Sequence, residues 1–285
     1  MAPLVELAPA KLNLSLEILG RRPDGYHELV TLFQTVGLAD ELYLAPADDL
    51  TLECDHPDLD GDANLALRAA RALRRHLGSD AGARLTLRKH IPLAAGLGGG
   101  SSDAAAAIRG LVRLWGAAVG RDELIGLARD LGADVPFLLW GGTALAAGVG
   151  DELEWLPDRT ERFVVLYTPA RPPADKTALA YRALARQAWS DGAATRALAA
   201  DQAADLASAP NAFESVAGRL FPGLDSARAR MLAAGAPWAR LTGAGPTLFS
   251  ILPSEDAARR VLAGIGEPER SWVAPTLPRL PDWLT

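Results

Sequence analysis

Cysteine is nearly missing from this chain: Cys54 stands alone among 285 residues. A single thiol cannot make an internal disulfide, a cysteine-based zinc site or an iron–sulfur cluster, and such sparse usage fits a reducing, cytoplasmic setting. Long apolar runs are missing as well. None approaches the roughly 20 residues that a helix needs to cross a bilayer. The opening MAPLVELAPAKLNLSLEIL has no basic lead-in before its apolar stretch, so neither a targeting segment nor a membrane partner is expected. Blocks of like charge are absent too. The 29 basic and 35 acidic side chains leave a net charge of −6 and intermingle along the sequence. A nucleic-acid partner is therefore not expected, and any anion must be held locally. His56, His76 and His90 are far apart, show no metal-ligand spacing and read as surface residues.

Lysine is scarce: of the 29 basic residues only Lys11, Lys89 and Lys176 are lysine. A position that keeps lysine in so arginine-rich a chain marks a place where a compact, flexible ammonium is preferred to a planar guanidinium.

What is present suits a packed core, with 49% hydrophobic residues spread over one large or two modest domains. Residues 11–19, KLNLSLEIL, alternate apolar and polar side chains and predict a strand, followed by the turn GRRPDGY. Strands are predicted near 28–36, 41–44 and 50–54, and again in ARLTLRKH and TALAAG. Helical spacing marks NLALRAARALRRHLG, SSDAAAAIRGLVRLW and RDELIGLARDLG. The charged, proline-bounded DELEWLPDRTER reads as a connection to the β-rich FVVLYTP. Helices are then expected over about 176–235, and RLTGAGPTLFSILP supplies a glycine turn and a strand. Strands and helices mix without regular βαβ repetition, which points to an α+β fold.

The stretch most informative for chemistry is IPLAAGLGGGSSDAAAA, residues 91–107. Gly98, Gly99 and Gly100 permit positive φ and close approach of backbone to a ligand, and Ser101, Ser102 and Asp103 suit the cap of the helix that follows. Amides of such a loop and helix start can point at phosphate oxygens. No Lys-Ser or Lys-Thr closes the loop as in a Walker A motif, and Pro92 interrupts the strand that a dinucleotide fingerprint requires. From the residues alone, a flexible turn capping an ordinary helix remains the plain alternative.

GLGGGSSDAA resembles the phosphate loop of the GHMP kinase superfamily, which includes galactokinase, homoserine kinase, mevalonate kinase and phosphomevalonate kinase. AKLNLSLEILGRRPDGYHEL is similar to the opening signature of one branch of it, and GADVPF (132–137) and TGAGPTLF (242–249) match further along. The four segments span nearly the whole chain in order. The resemblance implies a two-domain GHMP kinase fold, with an amino-terminal mixed β/α domain (1–155) carrying the phosphate loop and a carboxy-terminal α+β domain (156–285). It also implies ATP-dependent phosphorylation of a hydroxyl on a small cytidylyl alcohol in isoprenoid precursor synthesis, with Mg2+ accompanying the nucleotide. Other GHMP-type kinases of the homoserine or mevalonate class, and a non-catalytic nucleotide-binding module, are the alternatives.

Carried over residue by residue, the resemblance gives Asp134 the role of orienting and deprotonating the acceptor hydroxyl. Lys11 is its cationic partner, and Asn13, on the same strand face, would bind substrate by adding a neutral hydrogen bond to the acceptor or to the base. The segment Pro92, Leu93, Ala94, Ala95, Gly96, Leu97, Gly98, Gly99, Gly100, Ser101 and Ser102 would hold the nucleotide phosphates, with Asn64 and Lys89 nearby. Tyr26 and His27 would hold the cytosine by stacking and by ring nitrogens. Ser101 or Ser102 could reach the metal. Read without the resemblance, Asp134 is also a turn residue, Lys11 a strand-edge lysine, Asn64 an N-cap and Lys89 a strand-end lysine. Thr242-Gly243-Ala244-Gly245 stands where the family usually has Ser-Gly-Ser-Gly, so Ala244 lacks a hydroxyl.

Overall fold

The computed structural model describes residues 3–159, 162–169, 175–184, 189–201 and 203–284. The strand predicted at 11–19 extends at both ends into β1 (Leu4–Arg21), because β2 (His27–Ala47) pairs with it antiparallel along its length, from Leu4 opposite Leu44 to Arg21 opposite His27. The two strands predicted at 28–36 and 41–44 are one. Pro9 faces Ala39 while Ala10 faces Val36, so the residues between form a bulge that bends β2 without ending it.

β2 is the spine of a six-stranded sheet. Its edge away from β1 is shared by two partners: β4 (Gly82–Arg88) pairs with 41–47, and β5 (Thr143–Ala147) pairs with 31–34. β3 (Leu50–Cys54) runs parallel outside β4. Outside β5 lies β6 (Glu152–Leu156), which corrects the expectation that DELEWLPDRTER is only a connection. Its Glu152 and Glu154 are exposed while Leu153 and Trp155 are half-buried, the alternation of an edge strand whose outer face meets water.

Helices α1 (Leu65–His76), α2 (Gly99–Trp115), α3 (Arg121–Leu131) and α4 (Val135–Leu138) pack on this sheet. The alanines Ala104–Ala107 of α2 share a core with Ala69, Ala70 and Leu73 of α1 and with Leu42, Leu44 and Leu85 of the strands. Small side chains let the backbones approach closely, which is why so alanine-rich a helix sits at the centre of the fold.

A second sheet has the order β10 (Ser271–Pro275), β7 (Phe163–Tyr167), β9 (Leu248–Leu252), β8 (Arg240–Leu241). Around it lie α5 (Lys176–Ala183), α6 (Ala193–Ala200), α7 (Glu214–Leu220), α8 (Leu224–Ala233) and α9 (Glu255–Ile265). Ser254 caps α9 by accepting from the Ala257 amide. Leu16, Ile18 and Leu29 of the first sheet pack with Phe213, Val216 and Leu248 of the second half, so the β1–β2 hairpin is common ground. The molecule is α+β, and the main cleft opens along that hairpin. Among the described residues no helix is long and apolar enough to cross a membrane.

Candidate active site

The cleft measures about 1920 Å³ and is walled by β1, the loop before α2, the turn before α4, the hairpin tip and α5. Lys11, Asn13, Tyr26, His27, Lys89, Pro92 to Ser101 and Asp134 all line it. Separations of more than a hundred residues in sequence are thereby closed.

The loop and β1 are one unit. The Lys11 amide donates to the Leu97 carbonyl at 2.9 Å, and the Thr247 amide donates to Ala95 at 3.3 Å. Gly96 has φ +89°, and a Cβ there would stand 2.6 Å from the Thr242 carbonyl oxygen. Gly98 has φ +72°, and its Cβ would stand 2.8 Å from Cγ of Lys11. Both positions therefore need glycine for conformation and for space.

Gly98 is also the N-cap of α2, so the helix begins at Gly99 and takes Ser101, Ser102 and Asp103 into its first turn. This differs from the expectation that those three residues cap it. The left-handed Gly98 already turns the chain, and the side chains go elsewhere. Ser102 is buried with its hydroxyl donating to the Pro9 carbonyl at 2.7 Å. The Ser102 amide donates to Gly98 at 2.9 Å as the first helical bond. The amides of Gly99, Gly100 and Ser101 precede it and have no acceptor within the helix, which gives the cleft a positive rim suited to phosphate.

Across from that rim, Nζ of Lys11 lies 3.3 Å from Oδ2 of Asp134 and donates to Oδ1 of Asn13 at 2.7 Å. It also sits 5.1 Å over the Phe33 ring. Asn13 is held by its own neighbours, donating from Nδ2 to Thr31 at 2.7 Å and from its amide to Thr242 at 2.9 Å. Asp134 precedes α4 but makes no side-chain bond to that helix, so its carboxylate is free of a capping duty and faces the ammonium. A carboxylate beside a cation, within one cleft with an amide cradle, is an arrangement able to orient an alcohol toward a bound phosphoryl group.

Lys89 lines the cleft with its ammonium bound at 2.5 Å to both Asp40 and Asp103. Asp40 further accepts from the His90 and Ile91 amides at 2.5 and 2.8 Å, anchoring the strand end that leads into the phosphate loop. Burial, opposed by Lys89 and reinforced by Asp40, pushes the Asp103 carboxyl up to about 7. Burial works against the charge on Lys89, but Asp103 and Asp40 outweigh it and raise the ammonium above its ordinary value. Asn64 stands apart from the cleft lining and is occupied at the start of α1, accepting from Ala66 at 2.9 Å and donating to Leu59 at 2.8 Å.

At the other end, Tyr26 is 66% exposed, and His27 stacks on Tyr181 of α5 with centroids 4.9 Å apart. Burial, then the charge of Arg21, lowers His27 below the usual imidazole value. A neutral ring at neutral pH offers one donor and one acceptor. Burial, aided by the Asp134 charge, takes the Tyr181 hydroxyl up to about 12.

Tyr181 and Lys176 are cleft residues that reading the sequence for function did not single out. Tyr181 sits in an ordinary-looking helix and carries no signal. Lys176 did carry one, as one of three lysines, all of which line this cleft. Its ammonium donates to the Gly245 carbonyl. Burial, then the nearby charge of Lys11, lowers it to about 7, with Asp134 opposing.

Comparison with known proteins supplies the family. The family described as GHMP kinases N terminal domain matches residues 64–142, and that described as GHMP kinases C terminal matches 182–269. A 4-diphosphocytidyl-2-C-methyl-D-erythritol kinase of Dehalococcoides mccartyi is 42% identical over 262 residues, covering 90% of this chain and 92% of the relative. The crystal structure of a 4-(cytidine 5'-diphospho)-2C-methyl-D-erythritol kinase superposes with a TM-score of 0.81 at 39% identity, over 96% of this chain and 99% of the other. Homoserine kinase from Cytophaga hutchinsonii shares the fold, with a TM-score of 0.76 at 22% identity over 98% and 96% of the two chains.

Proposed function

This chain belongs to the 4-diphosphocytidyl-2-C-methyl-D-erythritol kinases of the GHMP kinase family, and from there we propose that its cleft moves the γ-phosphoryl group of ATP to the 2-hydroxyl of 4-diphosphocytidyl-2-C-methyl-D-erythritol. The observation that carries the residue assignment is the 3.3 Å approach of Lys11 to Asp134 in the cleft that also holds the amino end of α2.

In this reading the triphosphate lies against the amides of Gly99, Gly100 and Ser101, whose positive ends oppose its charge. Asp134 accepts the hydroxyl proton as the acceptor oxygen bonds to the γ-phosphorus and the bond to the β,γ-bridging oxygen breaks, with ADP leaving. Lys11, fixed by Asn13 and Phe33, pairs with Asp134 and neutralises charge on the phosphoryl oxygens. At the far end the cytosine stacks on exposed Tyr26, because rings 4.9 Å apart leave no gap between His27 and Tyr181 for a base. His27 meets the base edge.

Mg2+ belongs to the same reading. Among the described residues no group of three or more His, Cys, Asp or Glu could hold a metal by itself. Ser101 lines the cleft, while the Ser102 hydroxyl is engaged by Pro9. The residues fit a cation carried mainly by phosphate oxygens, with Ser101 as its protein contact. When bound, such an ion neutralises charge across the β- and γ-phosphates.

The deciding assay is ADP release from ATP with a panel of alcohols. Turnover is expected with 4-diphosphocytidyl-2-C-methyl-D-erythritol, inhibited by cytidine diphosphate. Turnover with homoserine or mevalonate and no inhibition by cytidine nucleotides would overturn the acceptor assignment.

A further inference from the structure

All three lysines of the chain line one cleft, and their counter-charges differ. Lys11 has Asp134 at 3.3 Å, and Lys89 has Asp40 and Asp103 at 2.5 Å. Lys176 is as buried as Lys11, yet among the described residues its ammonium has only the neutral Gly245 carbonyl as partner. A buried ammonium without a carboxylate is costly unless an anion arrives or the group gives up its proton.

The surroundings of Lys176 say where that anion would lie. Its hydrogen-bond acceptor belongs to the 242–247 turn, whose Gly243 and Ala244 line the cleft and whose Thr242 holds the Asn13 amide. The charged groups that act on it are Lys11 on β1 and Asp134 before α4; about one and a half turns along its own helix lies Tyr181, stacked on His27. Asp175, its neighbour in sequence, is exposed and pairs with Arg182 at 3.6 Å. The ammonium is thus close enough to feel the Lys11–Asp134 pair and sits on the helix that carries Tyr181 of the base end, where phosphate groups of the two substrates are the anions at hand.

We propose that Lys176 is a further phosphate-binding residue of the reaction centre, only partly protonated in the empty cleft and fully protonated from solvent when a phosphate group of either substrate lies against it. The balance is simple: the amine takes one proton, the phosphate anion becomes its counter-ion, and no covalent bond changes. Its ordinary value of 10.5 is brought to about 7 in the empty cleft, chiefly by burial and by Lys11, and a bound phosphate acts in the opposite direction. The proposal rests on the kinase reading above. The phosphate could be the γ-phosphoryl of ATP or the diphosphate of the acceptor, and the test separates them.

The experiment is calorimetric titration of the whole protein at pH 8 in buffers of different ionisation enthalpy. One arm uses the Mg2+ complex of a non-hydrolysable ATP analogue, the other uses 4-diphosphocytidyl-2-C-methyl-D-erythritol. A group titrating near 7 that becomes fully protonated takes up roughly 0.9 proton per site at pH 8. That uptake is expected in one arm for wild type and is expected to be lost in Lys176→Met. Uptake in the nucleotide arm assigns the γ-phosphoryl, with kcat of the variant falling about a hundredfold. Uptake in the acceptor arm assigns the diphosphate, with acceptor KM rising about tenfold. Lys176→Arg, which cannot titrate, is expected to bind both ligands without the uptake, and it serves in place of Lys176→Met should that variant not fold. An identical proton balance for wild type and variant in both arms would overturn the proposal. Failure of the kinase reading looks different: loss of the acceptor heat alone discards the acceptor assignment, while the nucleotide arm still decides the role of Lys176.

Discussion

The backbone amide of Lys11 donates to the carbonyl of Leu97 at 2.9 Å, so the strand bearing the cleft's ammonium and the loop bearing its amide cradle are fastened at one point. Gly98 lies next to that bond, and its missing side chain is the space that the Lys11 stem occupies. Gly98→Ala is expected to force both apart. Held at φ +72°, the new residue carries strain of about 1–3 kcal/mol, and its methyl displaces Lys11 from Asp134. Gly126→Ala in α3, whose Cβ likewise meets nothing within 4 Å and which lies outside the cleft lining, is the control and should turn over like wild type. Equal effects from the two substitutions would contradict the fastening argument.

Asp134→Asn keeps the shape of the side chain and removes the proton acceptor. A fall in kcat on the order of 10²–10⁴ is expected, the range of general-base contributions. Nucleotide KM should stay near the wild-type value, since the carboxylate does not belong to the amide cradle. Steady-state kinetics decide it, and an unaltered kcat removes Asp134 from the mechanism.

Lys89 neutralises two buried carboxylates at once. Lys89→Met leaves both without a cation, and removing one partner of a buried ion pair costs about 3–5 kcal/mol. Urea denaturation at neutral pH should show this loss. A variant as stable as wild type would mean that Asp40 and Asp103 do not depend on the ammonium.

Asp103 also predicts a pH effect. Its folded-state value of about 7 lies above the ordinary 3.8, so between those values the native state holds a proton that the unfolded state has released. This contribution to stability is complete at the acidic side and declines as pH rises toward 7, by at most about 1.4 kcal/mol per pH unit. Asp103→Asn cannot titrate. The stability difference between variant and wild type should therefore shift in favour of the variant as pH rises across that window. Parallel stability curves would show that Asp103 titrates alike in both states.

Tyr26 offers the exposed ring of the base end. Tyr26→Ala is expected to raise acceptor KM by about tenfold or more, in line with roughly 1–3 kcal/mol per stacked base, with nucleotide KM unaffected. Tyr26→Phe should behave as wild type. A joint change in both KM values would place the ring's role outside base binding.

Local patterns in the sequence were sufficient for the strand around Lys11, for α1, α3 and β4, and for the glycine loop, because alternation, helical spacing and glycine runs act over a few residues. They were insufficient for β6. Its glutamates and the following proline look like a linker until β5 supplies a partner. They also misassigned the cap of α2, where a left-handed Gly98 starts the helix and frees Ser102 and Asp103 for partners elsewhere in the fold.

Composition and short motifs by themselves determined the α+β class, the glycine loop ahead of α2 and the short roster of lysines, since each follows from neighbouring residues or from counting. What only the tertiary structure decided is which charges meet: that Lys11 faces Asp134, that Lys89 is spent on two carboxylates, and that Lys176 enters the same cleft with, among the described residues, a carbonyl and no carboxylate as its bonding partner. Pairing of charges depends on distance through space, which the packing of β1, α2, α5 and the turn before α4 around one cleft sets, not the separation of the residues along the chain.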